Sequence, residues 1–93
     1  MRPVLDGDLI ALAPVAMLWP HAQIRARLTD AISEVEAADA HREKVGKSHP
    51  DWGNGSLMSW ALGQPMGPRI AGQHDYLEAL SAVCEALIDY QAR

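Results

Sequence analysis

Apolar residues recur at helical spacing along most of the chain, and no convincing run of alternating β-forming residues is present. The clearest pattern lies between residues 20 and 45. At about 100° per residue, its apolar positions fall within a stripe of about 120°. These positions are Ile24, Leu28, Ala31, Ile32, Val35 and Ala38. The pattern predicts a long helix that turns this stripe toward a core.

A shorter apolar pattern lies near the N-terminus. Asp6 is placed to cap a first helix, and Leu5 and Ile10 have the spacing of a hydrophobic staple. Pro14 lies too deep for a first turn, so we expect this helix to be kinked there or divided in two. The Trp-Pro pair at residues 19–20 predicts the end of one helix and the start of the next, because proline disfavours helix in the residue before it.

A glycine-rich segment follows the long helix. Gly46 predicts the end of that helix, and residues 47–55 have the composition of a loop, with a turn favoured at Asn54 and Gly55. Ser56, or Asn54, is placed to cap a short helix with the sequence LMSWALG. We therefore expect the loop to lead directly into a helix of about two turns.

A second irregular connection is predicted between residues 64 and 73, which contain two prolines and two glycines. A last helix is expected to begin near Asp75, whose carboxylate is placed to cap it, with Glu78 completing a box-like pair. Its predicted buried stripe consists of Leu77, Leu80, Cys84, Leu87 and Ile88, with Val83 alongside.

Together these elements predict an all-α fold, a small bundle of two long helices, a kinked N-terminal helix and one short helix, with no sheet. The chain has 93 residues, enough for a single helical domain over residues 1–93. Its apolar fraction is 48%, but phenylalanine is absent and alanine is abundant. Because small side chains bury little area, we expect a second copy or another protein to cover one face.

The charge pattern argues against nucleic acid as a partner. The formal net charge is -4, and the acids from Asp75 to Asp89 meet no Lys or Arg before Arg93. That segment repels a phosphate backbone, and the basic stripe that nucleic-acid binding needs is missing. A DNA-binding regulator is therefore the weakest functional hypothesis.

Cysteine content and hydropathy bear on location. The single cysteine, Cys84, rules out an intrachain disulfide and fits a reducing compartment. No window reaches the ~18 to 20 apolar residues of a membrane span. Asp6 and Asp8 lie where a signal peptide carries positive charge. We expect a cytoplasmic protein with no membrane partner.

Two charged residues, Asp39 and Arg42, interrupt the apolar stripe of the long helix in its last turns. An unpaired buried carboxylate is strongly disfavoured, and the glycine-rich loop offers several N–H donors. We therefore hypothesise that Asp39 and Arg42 anchor the loop 48–56. In this hypothesis Asp39 accepts from loop N–H groups, while Arg42 binds loop carbonyls or pairs with Asp51.

The loop carries further candidates. Trp52 or Trp60 is expected to pack over the end of the long helix. His49 either forms an acid/base pair with Asp51 or accepts a turn hydrogen bond, and turn chemistry explains these residue types without further help. The glycines ahead of Ser56 present N–H groups to a phosphate unless a capping side chain fills them. The candidate binding or loop-anchoring residues are Asp39, Arg42, His49, Asp51, Trp52, Asn54, Ser56 and Trp60.

No catalytic residue, metal site or cofactor is predicted. Ser56 lacks the G-x-S-x-G pattern after a strand that a nucleophile elbow requires. Cys84 lies on a predicted buried stripe and has acidic neighbours. His41 has no co-ligand three or four residues away on its helix. We interpret the spacing of Glu36 and Asp39 as part of a solvated acidic face.

The stretch HREKVGKSHPDWGNGSLM, within residues 37–58, and the opening MRPVLDGDL resemble a family of short uncharacterised bacterial proteins. The resemblance covers most of the chain. It implies no activity, cofactor or catalytic residue.

The leading functional hypothesis is a non-enzymatic helical module that binds another protein or a second copy of itself. The contact is expected through an apolar helix face or the tryptophan-bearing loop. The alternative is a small enzyme, or a protein that binds an anion or metal ligand, with its site where the long helix meets the 48–56 loop.

Overall fold

The computed structural model describes residues 1–93 as a bundle of four α-helices. The helices are α1 (Asp6–Ala16), α2 (Ile24–Val45), α3 (Leu57–Leu62) and α4 (His74–Gln91), and a 3₁₀ helix (His21–Gln23) precedes α2. No strand forms, and the one β-type contact is an isolated bridge between His49 and Gly53. The predicted all-α fold is confirmed. None of these helices has the length and apolar character that a membrane crossing requires.

The long helix α2 buries the stripe that the sequence predicts. All six predicted positions are buried, from Ile24 to Ala38. The helix ends at Gly46, which has a φ of 78° and donates its N–H to the Arg42 carbonyl at 2.7 Å. The first turn differs from a simple helix start, because Pro20 precedes a 3₁₀ turn before the α-helix begins. The remainder of the α2 prediction is confirmed.

The first helix is capped differently from the prediction. The N-cap of α1 is Leu5, and Asp8, which is only 5% exposed, accepts the Leu5 N–H at 2.7 Å from the third position of the helix. The expected staple does not form, because Leu5 and Ile10 are 69% and 49% exposed. Pro14 lies inside α1 without dividing it. The Asp6 cap and the staple were therefore wrong, because the helix begins one residue earlier than predicted, with Leu5 as its N-cap and Asp8 bonded to the Leu5 N–H.

The short helix α3 follows its prediction closely. Ser56 is its N-cap, and the Ser56 hydroxyl accepts the Ser59 N–H at 3.2 Å. Asn54 closes the preceding turn, since its side-chain oxygen accepts the Ser56 N–H at 3.0 Å. Both polar residues that the sequence placed here thus hold the loop and helix start together.

The face that the last helix buries matches the predicted one only in part, since Leu87 and Val83 are buried as predicted. Its buried residues are Tyr76, Ala79, Val83, Ala86 and Leu87, and Gln73 replaces Asp75 as the N-cap. Leu77 and Ile88, both predicted to be buried, are 49% and 67% exposed. The physical reason is that α4 packs on α1, whose core face is itself rich in alanine. Small residues on both helices allow a close approach, which leaves the larger residues of the stripe at the edge of the contact.

Candidate functional site

The carboxylate of Asp39 lies where α2 meets the loop, but the loop N–H groups do not fill it. Arg42 donates to Asp39 Oδ1 at 2.8 Å, and the Met1 ammonium lies 3.1 Å from Asp39 Oδ2. The side chain is 14% exposed. The expected hydrogen bonds from the loop are therefore a wrong prediction, because the N-terminal residues occupy the position in front of Asp39.

The loop is nevertheless held against Asp39. Arg2 donates its N–H to the Gly55 carbonyl at 2.9 Å, so the N-terminal segment bridges α2 and the loop. The Gly55 backbone also contacts Asp39 directly, since a Cβ added to this glycine would lie 2.6 Å from Asp39 Oδ1. The loop is anchored by close contact and by Met1 and Arg2 rather than by hydrogen bonds to the carboxylate.

A second carboxylate, Glu36, joins the same network. Its Oε2 lies 3.1 Å from the Met1 ammonium, and the Tyr90 hydroxyl of α4 donates to its Oε1. The Met1 side chain is 3% exposed, so the N-terminal residue packs against the fold beside these two carboxylates. Sequence reasoning missed Met1 and Tyr90, and its interpretation of Glu36 and Asp39 as part of a solvated acidic face was wrong, because both carboxylates bind other groups of the chain. The one available signal was the spacing of Glu36 and Asp39, which places two carboxylates on one side of α2.

The network favours the ionised forms of Asp39, Glu36 and the Met1 ammonium, and the neutral form of Tyr90. Arg42 and the Met1 ammonium hold the pKa of Asp39 below its usual range. The Tyr90 hydrogen bond lowers the pKa of Glu36 and raises the pKa of Tyr90. Burial alone would lower the pKa of the Met1 ammonium, but the hydrogen bonds and charges of Asp39 and Glu36 raise it overall. The two carboxylates and the ammonium therefore bind one another as charges at neutral pH.

Arg42 and Asp51 do not form the expected pair. The Arg42 guanidinium binds Asp39 through Nη2, and its buried Nε has no hydrogen-bond partner. Asp51 is exposed at the tip of the loop. The intrahelical partner three residues away is closer to Arg42 than the loop residue, which explains the outcome.

His49 organises the turn, as the simpler interpretation predicted. Its Nδ1 accepts the N–H groups of Asp51 and Trp52 at 3.0 and 3.2 Å. Its ring stacks on Trp52 with centroids 4.6 Å apart, and its other neighbour is the ring of His41 on α2 at 5.1 Å. Trp52 thus reaches the end of α2 through His49, and the ring contacts secure the loop to the helix.

The N-terminus of α3, the predicted phosphate cradle, receives an anion from the chain itself. Asp8 Oδ1 accepts the Met58 N–H at 2.9 Å, while Asp8 Oδ2 accepts the N–H of Leu5, the N-cap of α1. The nearby Asn54 N–H donates to the Ser59 hydroxyl at 3.1 Å. One buried carboxylate therefore serves two helix starts, a role that sequence reasoning did not assign to Asp8.

Trp60 lies away from the end of α2. It is 6% exposed and meets Trp19 edge to face, with ring centroids 6.4 Å apart. The Arg27 guanidinium of α2 lies 5.7 Å from the Trp19 ring centroid. Trp60 therefore packs beside the first half of α2, and only Trp52 fits the predicted position.

The α1–α4 groove is a second candidate site, and it is apolar. It has a volume of about 270 Å³ and is lined by Val4, Leu9, Cys84, Leu87, Ile88 and Gln91. Cys84 is a free thiol, half-buried in this groove. Cys84 and Ile88 of the predicted α4 stripe thus border a depression on the surface, whereas Leu87 borders it and also reaches the core.

The fold and these two sites define a small all-α protein whose junction residues bind mainly one another. The chain belongs to the family described as Domain of unknown function (DUF7742), which it matches over residues 2–87. No curated protein and no solved structure matches the chain. The resemblance to a family of short uncharacterised proteins is thereby confirmed.

Proposed function

We propose that the protein is a non-enzymatic interaction module that self-associates through the α1–α4 groove. The observation that carries the proposal is the exposure of Ile88, which is 67% exposed although the sequence places it on an apolar stripe. Leu77, on the same face of α4, is 49% exposed. A second copy of the same groove supplies the apolar cover that the chain itself does not provide.

The charges around the groove suit a contact between two identical surfaces. None of its lining residues carries a carboxylate, ammonium or guanidinium group. The acidic residues next to Cys84 and Ile88 in sequence are Glu85 and Asp89, and Arg25 of α2 binds both of them. Depletion of charge in the centre of a contact, with neutralised acids nearby, favours association of two copies.

The alternative site at the junction of α2 and the loop has less support. The oxygens of Asp39 are taken by Arg42 and Met1, and the His49 acceptor is taken by turn N–H groups. An enzyme or ligand-binding protein needs free polar groups that converge on a substrate. We further propose a cytoplasmic location, which is supported by the single free cysteine.

Sedimentation velocity over a concentration series tests the proposed function. The wild-type protein is expected to shift from monomer toward dimer as its concentration rises. Ile88→Glu is expected to keep the protein monomeric, because a carboxylate would be buried in the contact. Ile70→Glu is the matched control, since Ile70 is 58% exposed and lies in the connection before α4.

Two outcomes would overturn self-association. One is a wild-type protein that stays monomeric at every concentration, which would indicate that the groove binds a different protein and not a second copy. The other is equal loss of association in Ile88→Glu and Ile70→Glu, which would show that the contact does not centre on the groove. Circular dichroism of both variants confirms that each retains its helical fold.

A further inference from the structure

Side chains from two separate elements meet at the start of α4. His74 and Asp75 lie in its first turn and Glu78 follows one turn later, and their ligand atoms all lie within 4.8 Å of one another. His21, from the 3₁₀ helix before α2, places its Nδ1 3.9 Å from Glu78 Oε2. The His21 imidazole therefore lies beside a cluster of one imidazole and two carboxylates through its contact with Glu78, although the two histidines are 53 positions apart in sequence.

The separations between these atoms are close to those around a bound metal ion. His74 Nδ1 lies 3.6 Å from Glu78 Oε2 and 3.8 Å from Asp75 Oδ1. Ligands at about 2.1 Å from a tetrahedral ion lie about 3.4 Å from one another. The ligand atoms of the cluster lie within 4.8 Å of one another, and these exposed side chains and that of His21 are free to approach further and reach that geometry.

A shared cavity lies beside these ligands. His21, Asp75 and Glu78 all line one depression of about 200 Å³. Its remaining lining residues are Met17, Trp19 and Ile24. These three side chains thus border a common space, with room for an ion and for water molecules that complete its coordination, and His74 contacts two of them, Asp75 and Glu78.

The cluster also keeps its negative charge. The ion-pair contacts of Asp75 and Glu78 are with histidines alone. The nearest arginine to His21 in sequence is Arg25, and it binds Glu85 and Asp89 instead. No lysine or arginine of the chain therefore competes with a cation for these carboxylates.

We propose that His21, His74, Asp75 and Glu78 form a binding site for a divalent transition-metal cation such as Zn²⁺. Imidazole nitrogens select this class of ion, whereas Mg²⁺ and Ca²⁺ take oxygen ligands. The bound ion joins the 3₁₀ helix to the start of α4, so binding stabilises the fold. The site is separate from the α1–α4 groove and does not depend on self-association.

Isothermal titration calorimetry with zinc chloride and magnesium chloride tests the site. The wild-type protein is expected to bind one Zn²⁺ per chain and to give no saturable heat with Mg²⁺. Removal of either imidazole, in His21→Ala or His74→Ala, is expected to weaken zinc binding at least about tenfold. Both side chains are at least 80% exposed, so these variants retain the fold.

His41→Ala is the matched control, because His41 and His49 form the other pair of imidazoles in the chain. This variant is expected to bind zinc as the wild type does. The proposal is overturned if wild-type protein shows no saturable binding of one ion. It is equally overturned if the His21→Ala/His74→Ala double variant binds zinc unchanged, or if His41→Ala alone abolishes binding.

Discussion

Asp39 approaches the backbone of Gly55 so closely that no side chain fits between them. A Cβ on Gly55 would lie 2.6 Å from Asp39 Oδ1 and 2.8 Å from its Cα. Gly55 also has a φ of +94°, a conformation that L residues rarely adopt. Both the contact with α2 and the backbone conformation therefore require glycine at this position of the loop.

Gly55→Ala is expected to lower the free energy of unfolding by about 2–4 kcal/mol, because a left-handed conformation and an overlap with Asp39 both add cost. Urea denaturation measures the loss. Alanine substitutions at two control glycines separate the cost of the left-handed conformation from the cost of the overlap with Asp39. Gly46 has a φ of +78° and open space around it, whereas Gly72 has open space alone. Equal losses for Gly55→Ala and Gly46→Ala would show that the Asp39 contact contributes nothing.

Removal of the Asp39 carboxylate leaves two cationic groups without their partner. We expect Asp39→Ala to lower the free energy of unfolding by about 2–3 kcal/mol and the melting temperature by several degrees, since the Asp39 side chain is only 14% exposed. Asp30→Ala is the control, because Asp30 is an exposed aspartate of the same helix. Thermal melts of the two variants give the comparison, and an unchanged melt for Asp39→Ala would contradict a structural role for the network.

Two aspartates near the start of α1 distinguish the observed cap from the predicted one. Asp8 accepts the N–H groups of Leu5 and Met58, so we expect Asp8→Ala to cost about 2–3 kcal/mol. Asp6 is exposed, and Asp6→Ala is expected to change stability by less than about 0.5 kcal/mol. Chemical denaturation of both variants provides the measurement. A larger loss for Asp6→Ala would support the sequence-based assignment instead.

The parts of the fold that local signals determine could be predicted from the sequence. The buried stripe of α2 follows from apolar spacing, its end from Gly46, and the start of α3 from Ser56. In each case the deciding residues lie within one or two turns of the feature. The face of α4 could not be predicted, because apolar spacing does not show whether Leu77 or Ala79 packs closer to α1.

The junction of α2 and the loop was likewise predictable from the sequence only in part. Asp39 and Arg42 stood out because they interrupt an apolar stripe, and the structure brings them together with the loop. Their other partners could not be found in this way, since Met1 and Tyr90 come from opposite ends of the chain. A charged residue on a buried face indicates that a partner exists, but only tertiary structure identifies that partner.

The lowered pKa values of Glu36 and Asp39 make stability depend on pH. Their ordinary values are 4.5 and 3.8. Because the folded protein binds these protons less tightly than the unfolded chain does, the stabilisation is present above those values and is lost as pH falls through the lowered ones. We expect urea denaturation to show a falling free energy of unfolding below about pH 4.

Two double variants test whether the network causes this pH dependence. Glu36→Gln/Asp39→Asn should flatten it. Asp30→Asn/Glu43→Gln, which changes two exposed acids of α2, should leave it unchanged. The same pH dependence in both double variants would show that the network does not control it.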